Sequence, residues 1–217
     1  MYKACIFDLD GTLTDTLESL TYSVNTTLQE LGLSKITREQ CRAYVGEGPR
    51  PLLKRSLETV GDHELAHLEA AVEIYARVFK EGCMYKVAPY DGIIELLTAL
   101  KESGLRLAVL SNKPHVQTNK IVASFFDEGV FDCVEGLKPE VPRKPDPTAA
   151  LAIAERWGID RKECIYIGDS DTDMMTGQAA GMLTVGVTWG FRDRDVLEKH
   201  GADHLIDHPE ELLSIIR

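Results

Sequence analysis

Basic residues are scarce in this chain. Lysine and arginine together number 24 against 35 aspartates and glutamates, giving a formal net charge of −11 over 217 residues. That balance argues against nucleic acid and anionic membrane as partners, since both need a basic face. A disulfide framework is also missing. Cys5, Cys41, Cys83, Cys133 and Cys164 are scattered, odd in number and without Cys-x-x-Cys spacing. They fit free thiols in a reducing compartment. No apolar run approaches the length of a membrane span, and there is no internal repeat or low-complexity segment. No signal segment precedes the first apolar strand, so the cytoplasm is the expected location. The length suffices for a good core, in one domain plus a smaller one.

What is present is strand–helix alternation with one long interruption. Apolar runs near Ala4–Phe7, Arg106–Leu110, Cys133–Glu135, Cys164–Ile167 and Leu183–Val187 read as strands. Helical patterns near Ile93–Glu102, Val116–Phe126, Thr148–Trp157, Met174–Ala180 and Glu210–Ile216 lie between or after them. This predicts an α/β class protein, a Rossmann-like parallel sheet with helices on both faces. From about Thr16 to Lys86 no strand pattern occurs. Leu20, Val24, Leu28 and Leu31 keep helical spacing up to Gly32, and Thr37 with Gln40 spells a capping box. Leu65, Leu68, Val72, Tyr75 and Phe79 mark another amphipathic helix. An all-helical domain over residues 16–86 is therefore predicted inside an α/β core made of 1–15 and 87–217.

The first strand runs into Asp8-Leu9-Asp10-Gly11. Alternation puts Asp8 and Asp10 on one side of an extended segment, at the sheet end where ligands bind. Two carboxylates so close repel unless a cation or a shared proton separates them. The pattern suggests a divalent metal, an acid–base pair, or both; an ordinary polar turn is the plainer reading. Three further polar clusters follow apolar runs in order. They are Ser111-Asn112-Lys113, then Arg143-Lys144-Pro145-Asp146-Pro147, then Gly168-Asp169-Ser170-Asp171-Thr172-Asp173.

Together these four runs resemble the motifs of the haloacid dehalogenase-like hydrolase superfamily, and within it the phosphoglycolate phosphatase branch. The resemblance extends from Phe7 to about Trp189. It implies a Mg²⁺-dependent phosphatase acting on a small phosphorylated metabolite, with the helical domain as a cap that closes over the site. Asp8 is then the nucleophile that forms an aspartyl-phosphate. Asp10 is the general acid and later the base. The branch that cleaves carbon–halogen bonds lacks this second carboxylate. Asp8, Asp169 and the backbone carbonyl of Asp10 are the expected Mg²⁺ ligands, a hard-oxygen set. Ser111 and the backbone N–H of Asn112 are expected to bind phosphate, with the helix start beyond them favouring an anion. Lys144 is expected between Asp8 and the phosphate, and Asp173 is expected to orient Lys144 or a metal-bound water. Asp171 reads as a cap for a helix from Thr172 on.

The cap is expected to choose the substrate. Arg50 follows the glycine-containing run Val45-Gly46-Glu47-Gly48-Pro49 and could hold a remote carboxylate. The plainer reading is a solvated arginine between two helices. Tyr90 and Lys113 are further candidates near the mouth. His63-Glu64-Leu65-Ala66-His67 spells the zinc-protease pattern, but Asp62 looks like a helix cap and no third ligand follows, so zinc is not expected there. A pyrophosphatase or a sugar-phosphate mutase of the same family is the alternative function. A non-catalytic regulator that binds phosphate or a partner belongs to another class. The intact set Asp8, Asp10, Lys144 and Asp169 argues against it.

Overall fold

A computed structural model describes residues 1–216. Six parallel strands form one sheet in the order β5-β4-β1-β6-β7-β8. They are β1 (Ala4–Phe7), β4 (Arg106–Pro114), β5 (Cys133–Leu137), β6 (Cys164–Gly168), β7 (Leu183–Val187) and β8 (His204–Ile206). Two short strands, β2 (Thr14–Asp15) and β3 (Ala88–Pro89), mark where the chain leaves this unit and returns. β1 is buried along its whole length, as a central parallel strand covered on both faces must be. Its neighbours are β4 on one side and β6 on the other, with Phe7 level with Val109 and Ile167. The strand order reverses there, so the crevice past the C-terminal ends of β1, β4 and β6 is a switch point.

Helices α5 (Ile93–Glu102), α6 (His115–Phe125), α7 (Thr148–Trp157), α8 (Asp171–Ala180), α9 (Arg194–Lys199) and α10 (Leu212–Ile215) accompany the sheet. One core layer joins Ala4, Ile6, Ala108, Leu110 and Tyr166 of the sheet to Ala150, Ile153 and Ala154 of α7. The five cysteines are free and buried. No helix among the described residues is long and apolar enough to cross a membrane. β4 runs four residues past the expected end at Leu110, with a register shift between Leu110 and Pro114. α6 starts at His115, one residue before the expected Val116. β8 and α9 carry too little apolar pattern to be read from sequence.

A second compact unit spans Asp15–Ala88. It holds α1 (Leu17–Glu30), α2 (Arg38–Tyr44), α3 (Pro49–Thr59) and α4 (Leu68–Gly82). Leu20, Val24 and Leu28 are buried on α1, and Thr37 and Gln40 form both bonds of the capping box. The helix expected from Leu65 instead begins at Leu68. Before it Asp62 accepts from the backbone N–H of Ala66 and His67 and from the His67 ring, closing a turn in which Leu65 has φ 56°. His63 and His67 therefore do not share a helix face, and Asp62 caps a turn rather than the helix.

Candidate active site

β1 delivers Asp8 to the crevice, where its N–H still bonds Ile167 O at 2.9 Å. Asp10 lies in the tight turn that follows, closed by Gly11 N–H to Thr14 O. The two carboxylates do not share one cation: each has its own lysine. Lys144 Nζ is 2.9 Å from Asp8 Oδ1, and Lys113 Nζ is 2.8 and 2.9 Å from the two oxygens of Asp10. Lys113 comes from the last stretch of β4, and its side chain is 1% exposed.

Lys144 is fixed at both ends. Its ammonium donates to Leu110 O at 3.1 Å and to Asp173 Oδ1 at 2.7 Å, besides the ion pair with Asp8. Its backbone is clasped by the Asn112 side chain, which donates to Lys144 O at 3.0 Å and accepts from Lys144 N at 2.9 Å. Burial works against the charged ammonium, but Asp173 and Asp8 outweigh it and hold its pKa well above the usual lysine value. Asp173 is in turn held by Ser170, the N-cap of α8, through a reciprocal capping box. α8 accordingly starts at Asp171, so Ser170 and not Asp171 caps it. Ser111 is buried, and its hydroxyl accepts from Lys113 N at 3.2 Å.

Asp169 follows β6. Its Oδ1 accepts from Thr12 Oγ1 at 3.1 Å and its Oδ2 from Phe191 N at 2.7 Å. Backbone comes very close here. A Cβ on Gly11, whose φ is +90°, would meet Asp169 Oδ2 at 2.3 Å, and one on Gly190 would meet Asp169 Cβ at 2.2 Å. Trp189 braces the same corner by donating its indole N–H to Thr12 O at 3.0 Å. The Tyr90 ring lies 6.5 Å from that of Trp189. Elsewhere, Arg50 near the start of α3 makes a two-bond, solvent-exposed pair with Glu69 of α4.

The sequence profile of the haloacid dehalogenase-like hydrolases matches residues 5–187, which include all four polar clusters. The chain belongs to that family. A phosphoglycolate phosphatase of Aquifex aeolicus is 31% identical over 214 residues, covering 99% of this chain and 96% of the relative. One from Nitrosospira multiformis is 34% identical over 90% of this chain and 88% of its own. A solved structure from Lactobacillus delbrueckii, provisionally named a phosphoglycolate phosphatase, superposes with a TM-score of 0.90. It is 32% identical over 99% of this chain and 98% of its own. Within the family this chain is a phosphatase, a phosphoric monoester hydrolase.

Phosphatases of this family are generally metal-dependent, and the carboxylates here fit a cation. Oxygens of Asp8, Asp169 and Asp173 all lie within 4.8 Å of one another. Burial pushes Asp8 up to about 7, opposed by Lys144 and aided by repulsion from Asp173 and Asp10. Burial, then Asp173 and Asp8, push Asp169 well above the usual carboxylate range. Asp8 Oδ1 is buried beside the Lys144 ammonium. A cation seated between the carboxylates would relieve both raised groups. Asp173 is the weakest of the three as a ligand, because its two oxygens are committed to Lys144 and Ser170.

Sequence reasoning missed Thr12, Ser170 and the Trp189–Phe191 loop, and it undervalued Lys113. A glycine beside a tryptophan just after the β7 apolar run is the only local hint of that loop.

Proposed function

We propose that this phosphatase hydrolyses phosphoglycolate or a similarly small anionic phosphomonoester, using Mg²⁺. End-to-end similarity to relatives of that name, across both compact units, carries the reading. Asp8 and Asp169, with the Asp10 carbonyl, would hold the ion. Bound there, Mg²⁺ screens the anionic nucleophile from the anionic ester and acts as a Lewis acid.

In the first step the Asp8 carboxylate forms a bond to phosphorus as the bond to the ester oxygen breaks. Asp10 gives that oxygen its proton. In the second step water attacks phosphorus, the Asp8–phosphorus bond breaks, and Asp10 takes the water proton. Lys144 keeps positive charge beside Asp8 throughout and offsets charge on the transferring group. Ser111 and the Asn112 N–H are proposed phosphate contacts. Asp173 acts by holding Lys144. The helical unit is proposed as the cap that selects substrate. Arg50, expected from sequence to hold a second anion, would have to give up Glu69 to do so and is not assigned that role.

The test is a Mg²⁺-supplemented panel of phosphoglycolate, sugar phosphates, nucleotides and pyrophosphate, run on the wild type and on Asp8→Asn. Phosphoglycolate should lead with release of inorganic phosphate, and Asp8→Asn should be inactive. Activity confined to pyrophosphate, or transfer back to a sugar, would replace this reading with one of its family alternatives. Near-normal turnover by Asp8→Asn would reject the covalent mechanism.

A further inference from the structure

We infer that Lys113 reads the second anion of the substrate, exchanging its hold on Asp10 for that group. This rests on the phosphatase reading above and concerns the choice among phosphomonoesters. Among the described residues only two cations are buried, Lys113 and Lys144. Lys144 is committed to Asp8, Asp173 and Leu110 O. Lys113 grips Asp10 instead, with both carboxylate oxygens taken.

Geometry places the lysine next to the right atom. Asp10 must touch the ester oxygen to protonate it. An ammonium hydrogen-bonded to Asp10 therefore sits within roughly two hydrogen-bond lengths, about 6 Å, of that oxygen. A carboxylate on the carbon next to the phosphate ester falls inside this radius. A long aliphatic chain or a neutral aryl group offers nothing there for an ammonium to bind.

The root of Lys113 is fixed while its arm is long. Its N–H bonds Ser111 Oγ, its carbonyl accepts from Thr118 Oγ1 at 3.1 Å, and that carbonyl packs so close to Gly136 that a Cβ there would lie 2.8 Å away. A four-carbon side chain on so fixed a backbone can swing between two nearby anions. Moving it onto the substrate's carboxylate frees Asp10 to face the ester oxygen. The substrate class is thus a phosphomonoester with an anion one carbon from the ester carbon. Arg50, exposed and paired with Glu69, is not needed for that recognition.

The test compares phosphoglycolate with its amide analogue, which has the same shape and phosphate but no second charge. The measured quantity is the ratio of kcat/KM for the two compounds, so any general damage through Asp10 cancels. The wild type should favour the acid at least tenfold. Lys113→Met and Lys113→Gln, both neutral, should erase most of that preference, chiefly through KM for the acid. Arg50→Ala should keep it. Equal losses on both compounds in the Lys113 variants would overturn the inference and leave Lys113 as a partner of Asp10 alone. Loss of the preference in Arg50→Ala with retention in the Lys113 variants would transfer the role to Arg50. A wild type without preference would overturn the inference too, while turnover of other phosphomonoesters would leave the phosphatase reading standing. No turnover of any phosphomonoester would instead sink that reading.

Discussion

Replacing Asn112 by alanine separates two roles for this residue. If Asn112 contributes only its backbone N–H, alanine is neutral, because it keeps that group. The structure gives the side chain a larger part, since it pairs with both the N–H and the C=O of Lys144, at 2.9 and 3.0 Å. Both residues are buried, at 5% and 3% exposure. Truncation leaves two backbone groups without partners. Each orphan costs about 1–3 kcal/mol, and a water entering the vacated amide volume recovers part of it. A net loss of about 2–4 kcal/mol in urea unfolding at neutral pH follows. Lys144 is also released from its clasp, and misplacing a catalytic group by ~1 Å can cost ~10²-fold. We therefore expect kcat to fall about ten- to a hundredfold with a smaller change in KM. A variant within about 0.5 kcal/mol of the wild type and with normal kcat would show that the clasp is not what places Lys144.

Two further outcomes follow from the charged groups. In chelator, the raised Asp8 and Asp169 oppose folding once they ionise, so the metal-free protein should lose stability as pH rises from the ordinary carboxylate range through about 7. Thermal melts at pH 5 and 8 with and without Mg²⁺ check this. Equal stability at both pH values, unchanged by the ion, would contradict the metal site. Asp132 has the opposite sign. Burial pushes its pKa up, but the Leu107 N–H, Lys101 and Arg106 outweigh it and hold the carboxyl below its usual value. Its contribution is present above the ordinary carboxylate pKa and fades as pH falls below it. Arg106 is 57% exposed and adds little. Asp132→Asn should cost about 1–2 kcal/mol at pH 7, and the gap to the wild type should shrink in urea titrations run near pH 3.

Much of the fold was legible because its signals are local. β1 is a continuous apolar run, and α5 and α7 have the bounds that the helical spacing predicts. β8 was not legible. It has three residues, and only Ile206 is buried. The extension of β4 was hidden because Ser111, Asn112 and Lys113 look like a polar loop, yet they run on as strand under a buried surface. In the site, residue types at strand ends were readable, whereas their pairings were not. Asp10 and Lys113 are 103 positions apart, and Asn112 and Lys144 are 32 apart. Only the sheet order, which puts β4 beside β1, makes Asp10 and Lys113 neighbours. The same holds for Trp189 and Thr12, which meet because β6 and β7 follow β1 in the sheet.

The excess of negative charge on this protein looks hostile to an anionic ester, and the site shows why it need not be. At the crevice Asp8, Asp10, Asp169 and Asp173 face Lys113 and Lys144. If all four carboxylates ionise, they leave two negative charges against the two ammoniums, which the proposed divalent cation would cancel. On the proposed reading such an ion would relieve the repulsion in the pocket, so that hydrogen-bond donors and the two lysines can act on phosphate. The field of acidic residues at the surface is screened beyond about 8 Å at physiological salt. Capture of the substrate then depends on local groups rather than on long-range steering. On this account added salt should slow association little, and loss of the ion should matter far more than any surface charge. The selectivity assigned to Lys113 belongs to the same balance: its charge offsets one carboxylate at rest, and the substrate must bring another to draw it away.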